Sequence, residues 1–291
     1  MITSLFYHAD CMEMLKRLPA ESIDLVVTDP PYKIVGGGCS ENTSLGGCLS
    51  RKLEYEKCGK YNFLKGTKHI NLGGVFNDAA KDVRAGKMFH YNNIAFSEWL
   101  PEVYRVLKKG THCYIMVNGR NLAQLQNAAE QTGFVFQNIL VWDNGNCTPN
   151  KYYMQSCEFI LLLSKRPSRK INNMGSKNII SIPNIIGKKG HPTEKPVELL
   201  EHIIENSSNV GDFVLDPFAG IATTLSAAAN LKRRFIGFEI DERYFFIGML
   251  RLIKNTAIQD CNKYLLKLKG EKDDGEENGD NIIGLCIEQD L

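Results

Sequence analysis

Several things are missing from this 291-residue chain. No stretch approaches eighteen consecutive apolar residues, so no segment has the pattern of a membrane-spanning helix. The opening MITSLFYHAD carries no basic segment leading into an apolar run. No secretory leader is expected, and the expected location is the cytoplasm. No Cys-x-x-Cys pair occurs among the nine cysteines (11, 39, 48, 58, 113, 147, 157, 261 and 286), an odd set that suits reduced thiols. Cys39, Cys48, Cys58 and His69 are spaced too widely for a zinc knuckle, so no metal is expected. There is no internal repeat. Acids are missing from one place: residues 165–189 hold seven Lys/Arg and no Asp or Glu.

Hydrophobic content of 43% and charged content of 23% are those of an ordinary globular protein. The formal charge of +2 is unevenly spread. Residues 271–291 hold eight acids and one Lys, a net of −7, so residues 1–270 carry +9. A basic body suits a polyanionic partner. The length suits one α/β domain, residues 1–268, with an insertion at 33–90, the basic loop 165–189, and an acidic tail at 269–291.

Strand and helix patterns alternate, which predicts a mostly parallel sheet covered on both faces. Ile23–Thr28 is a β-branched run that must stop at Asp29-Pro30-Pro31. Ser97–Leu107 has helical spacing, followed by a strand over Thr111–Val117, a helix over Leu122–Gln131 and a strand over Phe134–Trp142. Cys157–Ser164 is a strand that pairs antiparallel with 134–142. Pro196–Ser208 is a helix, Phe213–Asp216 a strand, Thr223–Leu231 a small-residue helix, Arg234–Glu239 a strand, and Glu242–Asn255 an amphipathic helix. Two stretches break the rhythm. Residues 33–90 contain ten of the 25 glycines, and ten Lys/Arg against five acids. That segment and 165–189 read as long functional loops.

Four short segments have residue types suited to chemistry. Asp29-Pro30-Pro31-Tyr32 follows a buried strand, at the edge where open α/β sheets bind ligands. A carboxylate and a carbonyl held outward by stiff prolines can accept both hydrogens of an amino group, beside an aromatic stacking face. The plain alternative is a proline-rich turn capping a strand. Asp216-Pro217-Phe218-Ala219-Gly220 is a strand-to-turn junction opening a helix, which suits the polar end of a cofactor. Glu239, about twenty residues on, ends a strand at the offset of a ribose-gripping acid, or is an ordinary strand-end acid. His191-Pro192-Thr193-Glu194-Lys195-Pro196 precedes a helix that Thr193 is placed to cap, with Lys195 set to meet a carboxylate. Asp10 follows Leu5–His8 and fits a helix N-cap equally well.

Taken in order, HAD-x-x-x-x-L, DPPY, SEWLPEVYRVLKKG, HPTEKP, DPFAG-x-x-TT and FIGFEI-D resemble the β-class DNA amino-methyltransferases, over about residues 5–255. The resemblance implies a Rossmann-like, mostly parallel seven-stranded sheet, permuted so that the catalytic half comes first. It implies S-adenosylmethionine as cofactor, held by Asp216, Pro217, Phe218, Ala219, Gly220 and Thr223, with Glu239 on the ribose. Asp10 falls near the cofactor's adenine, and His191, Thr193, Lys195 and Pro196 near its methionine end. Asp29, Pro30, Pro31 and Tyr32 correspond to the catalytic tetrapeptide.

Double-stranded DNA is the expected partner, contacted by Arg51, Lys52, Lys57, Lys60, Lys188 and Lys189. A homodimer and a cognate restriction endonuclease are open expectations, and no membrane partner is expected. Asp at the first catalytic position favours adenine N6 over cytosine N4. Asn there would suit a protein-modifying enzyme. One departure stands out: the family's Ser-Gly pair is Ile221-Ala222 here, which raises the alternative of a catalytically weak, cofactor-binding DNA-recognition protein.

Overall fold

The computed structural model describes residues 2–31, 94–148, 152–185, 194–255, 265–268 and 282–289. The chain divides into one unit of residues 1–31 with 94–291, and another of residues 32–93, which lies outside the described residues.

The first unit is built on one sheet. Its strands are β1 (Ile2–His8), β2 (Ile23–Thr28), β3 (Leu107–Val117), β4 (Val135–Thr148), β5 (Gln155–Ser164), β6 (Ile179–Ser181), β7 (Phe213–Asp216), β8 (Arg234–Glu239), β9 (Leu265–Leu268) and β10 (Ile282–Gln289). Their spatial order is β6-β4-β5-β3-β2-β7-β8-β1-β10-β9. The stretch from β4 to β1 contains the seven strands expected from the sequence, and β6, β9 and β10 extend it.

The helices are α1 (Cys11–Arg17), α2 (Phe96–Val106), α3 (Leu122–Thr132), α4 (Val197–Ser207), α5 (Thr223–Asn230) and α6 (Glu242–Asn255). Contacts run from α1 to α2 to α3, and separately from α4 to α5 to α6, giving one layer on each face. Connection handedness explains the split. The chain steps from β1 through β2 and β3 to β4 in one direction, and from β7 to β8 in the other, so right-handed crossovers put the two helix sets on opposite faces.

Local sequence accounts for the core. All six residues of β2 are buried, as a parallel strand covered on both faces must be. Burying Leu25, Val26 and Val27 contributes about 1.5–3 kcal/mol each. In α2 the buried set is Phe96, Trp99, Leu100, Val103 and Val106, one stripe at helical spacing. The Trp99 indole meets Phe218 edge-on at 5.2 Å, which ties this helix to the turn after β7.

Two expectations need correction. Residues 282–289 do not belong with the acidic tail. They form β10, which pairs antiparallel with β1 from Ile2↔Gln289 to His8↔Ile283. Leu285 and Ile287 are fully buried there, so the apolar alternation of this stretch outweighs its acidic neighbours. Residues 165–185 are also not one long loop. Antiparallel β5 ends toward the amino half of β3, with Ser164 opposite His112, so the chain leaves the sheet on its amino side. Lys165 is buried, its Nζ donating to the carbonyls of Tyr104 (2.9 Å) and Leu107 (2.8 Å). Arg169 donates to the Ser207 carbonyl at 2.5 Å. Asn172 N donates to the Asn206 carbonyl at 2.7 Å. Only with β6, parallel to β4, does the chain return toward the carboxyl edge.

Candidate active site

The sheet reverses its order of travel between β2 and β7, which pair in parallel through Leu25↔Val214 and Val26↔Leu215. A ligand crevice forms outside the carboxyl ends of strands at such a switch point. Asp29 directly follows β2 and Asp216 ends β7, so the two carboxylates flank this crevice. Thr28 Oγ1 donates to Asp216 Oδ1 at 2.7 Å, and Phe218 N donates to the same oxygen at 3.1 Å. Burial pushes the Asp216 carboxyl up to about 6, against the pull of hydrogen bonds from Thr224, Thr28 and Phe218, with the nearby Asp29 charge adding to the rise.

Asp29 is fixed from its other side. Lys195 Nζ lies 2.9 Å from Asp29 Oδ2 and 3.0 Å from Glu158 Oε2. The ammonium is 6.0 Å from the Trp142 ring centroid. Trp142 is buried and its Nε1 donates to the Ile182 carbonyl at 2.8 Å, so the ring is held in place. Lys195 therefore meets a carboxylate, as its segment suggested, and the carboxylate is that of the expected catalytic residue. Its neighbour Pro196 occupies the N-cap position of α4. Glu194 is ion-paired with Arg251 of α6, and Arg251 also donates to Thr223 Oγ1 at 2.6 Å. This pair ties the segment before α4 to the first turn of α5.

Of the expected cofactor residues, Asp216–Gly220, Glu239 and Asp10 stand at the carboxyl ends of β7, β8 and β1. The turn Asp216–Gly220 runs into α5, with Ala219 N donating to the Phe238 carbonyl at 2.8 Å. Glu239 ends β8 beside β1, and Ala9 N donates to its carbonyl at 3.0 Å, which brings Asp10 alongside. Asp10 acts as the N-cap of α1, its Oδ1 accepting from Met12 N at 2.6 Å. The Glu239 carboxylate accepts Gly220 N at Oε2 and Asp241 N at Oε1, each at 2.8 Å. Burial pushes this carboxyl up to about 7, against those two backbone hydrogen bonds. A half-buried carboxylate with a lone pair left on each oxygen suits two adjacent hydroxyls. Gly220, at φ +53°, has nothing within 4 Å of where a Cβ would stand, which leaves room for a ligand. The residues present therefore fit a nucleoside cofactor.

The Ile221-Ala222 departure has a structural answer. Ala222, at the N-cap of α5, adopts φ +60° and ψ +35°, the left-handed conformation that glycine favours. The turn keeps its shape without the glycine.

Tyr32, His191, Thr193, Arg51, Lys52, Lys57, Lys60, Lys188 and Lys189 lie outside the described residues, as do Cys39, Cys48, Cys58 and His69. Pro30, Pro31, Pro217 and Phe218 stand in the two turns at the crevice. Three contributors escaped the sequence reading: Thr28, Glu158 and Arg251. A lone acid in the apolar run CEFILLLS was a signal for Glu158. Nothing in the pattern of α6 marked Arg251.

Known proteins resemble this chain in sequence and in fold. The sequence profile of the family described as DNA methylase matches residues 23–249. Type II methyltransferase M2.DpnII of Streptococcus pneumoniae is 30% identical over 266 residues, covering 84% of this chain and 88% of its own. DNA adenine methyltransferase YhdJ of Escherichia coli (strain K12) is 29% identical over 305 residues, covering 91% and 87%. Among solved structures, the M1.HpyAVI–SAM complex superposes with a TM-score of 0.57 at 25% identity, covering 85% of this chain and 98% of that one. The cytosine-N4-specific PvuII DNA methyltransferase shares the fold, with a TM-score of 0.58 at 19% identity over 84% and 85% of the two chains.

Proposed function

The chain belongs to the DNA methylase family, and on that premise we propose that it methylates the N6 amino group of adenine in double-stranded DNA, using S-adenosylmethionine. The observation that carries this reading is the Asp29 carboxylate, ion-paired by Lys195 and standing across the β2–β7 crevice from the Asp216–Gly220 turn. Adenine is favoured by Asp at the head of the tetrapeptide and by the adenine specificity named for the Escherichia coli relative.

The target amino group is inaccessible within a stacked duplex, so the base is extruded at a cost of a few kcal/mol. Tyr32 stacks on the extruded ring. Asp29 and the Pro30 carbonyl accept the two amino hydrogens, which turns the nitrogen lone pair out of ring conjugation. Bound there, S-adenosylmethionine would supply an electrophilic methyl group to that lone pair and leave as the neutral thioether. Asp29 stabilises the positive charge that grows on nitrogen, then accepts or relays the released proton. Glu239 would hold the ribose, Asp10 the adenine side, and Asp216–Gly220 with Thr223 the polar end. His191, Thr193, Lys195 and Pro196 would serve its methionine end.

Exposed Tyr152 and Tyr153 beside β5, at the same carboxyl edge, offer aromatic faces that suit bases. Arg51, Lys52, Lys57, Lys60, Lys188 and Lys189 supply phosphate contacts. A second copy of the chain and a restriction endonuclease of matching specificity are its further partners, and it acts in the cytoplasm. Among the described residues no helix is long and apolar enough to cross a membrane.

The test is transfer of labelled methyl to duplex DNA, RNA and protein, followed by identification of the modified base. N6-methyladenine in DNA is expected. N4-methylcytosine would move the reading to cytosine, and label in RNA or protein alone would overturn it.

A further inference from the structure

We infer that Glu158 is a positioning residue for methyl transfer: through Lys195 it orients the Asp29 carboxylate and preserves its negative charge. The inference rests on the reading of Asp29 as the group that receives the base amino hydrogens.

Glu158 lies in β5 directly opposite Trp142 of β4, so both side chains stand on one face of the sheet. The Trp142 indole is anchored at Ile182, and Lys195 enters over it with a side chain only 9% exposed. An ammonium so enclosed must be satisfied by fixed partners. It has two carboxylates, Asp29 Oδ2 at 2.9 Å and Glu158 Oε2 at 3.0 Å. Lys195 engages Asp29 through Oδ2, and the Asp29 side chain keeps 26% exposure. One oxygen of Asp29 is committed to holding the carboxylate plane, which leaves the other for the substrate.

Charge explains why a second acid is needed. Lys195 with Asp29 alone would be a neutral pair, and a neutralised carboxylate is a poor partner for a nitrogen that gains positive charge. With Glu158 sharing the same ammonium, the three side chains sum to −1. The cation then serves as a clamp without cancelling the charge that the reaction uses. A separate network, Glu194–Arg251–Thr223, fixes the neighbouring backbone, so Glu158 is not required to hold the segment itself.

The experiment compares single-turnover methyl transfer, S-adenosylmethionine affinity, duplex affinity and thermal melting for wild type, Glu158→Gln, Lys195→Met, the double variant and Asp29→Asn. Gln keeps an acceptor for Lys195 and removes the charge, so the fold is retained. Glu158→Gln is expected to slow transfer about tenfold to a hundredfold, with cofactor and duplex affinity within about threefold of wild type. In the Lys195→Met background the same substitution should change the rate by less than about threefold, because its effect passes through Lys195. A wild-type rate in Glu158→Gln overturns the inference. So does an equal loss in both backgrounds, which would mean direct contact with DNA, or a loss confined to cofactor affinity. Asp29→Asn separates the two levels. If it transfers normally, the active-site reading itself fails. If it is inactive while Glu158→Gln is normal, only the role of Glu158 fails.

Discussion

The methyl group of Ala222 faces the bare Cα of Gly248: a Cβ placed on Gly248 would stand 3.0 Å from it, and equally close to the Ile221 carbonyl carbon and the Phe6 ring. The helix after β8 therefore makes room for the loop after β7 at the residue where that loop has gained a side chain. Gly248→Ala should lower stability by about 1–3 kcal/mol, although alanine is the better helix former by about 1 kcal/mol. Ala222→Gly in the same background should recover part of the loss. Urea unfolding measures both, and an unmoved midpoint for Gly248→Ala would show that the neighbours yield freely.

The same geometry bounds the effect of the altered loop on the cofactor. The left-handed turn is already formed, so replacing Ile221-Ala222 with Ser-Gly can return only the strain of one non-glycine residue, about 1 kcal/mol. Calorimetry should find S-adenosylmethionine bound up to about fivefold more tightly. A gain of a hundredfold would mean that the side chain of Ile221 or Ala222 obstructs the ligand.

Asp29→Ala should abolish methyl transfer while cofactor affinity stays within about tenfold. Tyr32→Phe should keep much of the activity that Tyr32→Ala loses, since it preserves the stacking face. Equal damage from both would exclude stacking, and wild-type turnover in Asp29→Ala would exclude the site.

Glu239 should give cofactor binding a pH dependence. Its carboxyl is pushed up to about 7 by burial, so it gains a proton as pH falls through neutrality and loses an acceptor for ribose. S-adenosylmethionine affinity should weaken from pH 8 to pH 6, with proton release on binding within that window. Glu239→Gln should bind about 1–3 kcal/mol more weakly and show little dependence on pH. An affinity that is flat with pH in the wild type would remove Glu239 from the ribose.

Salt dependence separates the two halves of the basic stretch. Each phosphate contact adds about 0.9 to the slope of log affinity against log salt. Removing Lys188 and Lys189 together should reduce the slope by up to about two. Replacing Arg166, Lys170 and Lys177, exposed on the segment that leaves the sheet on its amino side, should leave the slope unchanged. A reduced slope in the triple variant would put DNA on the back of the sheet.

Most of the scaffold could be read from hydrophobic period and punctuation. The run 23–28 ended at its prolines and 213–216 at Asp216, and the pairing of 157–164 with 134–142 is antiparallel, as the pattern suggested. The mistakes came where charge hid packing. The acids at 271–280 masked the buried alternation of 284–287. The unbroken cations of 165–189 suggested one exposed loop, although Lys165 turns inward onto backbone carbonyls. Within the site, Lys195 was legible as a partner for a carboxylate. Its second partner was marked only as a lone acid in an apolar run, because the pairing of Glu158 with Trp142 depends on the register of two strands.

The pairing of β1 bears on how the protein is made. Both of its neighbours come late: β8 begins at residue 234 and β10 at residue 282. At about 5–20 residues per second of synthesis, β1 waits roughly ten to fifty seconds for either partner. Through that interval an apolar ribbon with two open edges has left the ribosome while the strands that will flank it are still untranslated. Nascent chains stalled before residue 234 should therefore engage a chaperone through residues 2–8, and chains stalled beyond β10 should have released it.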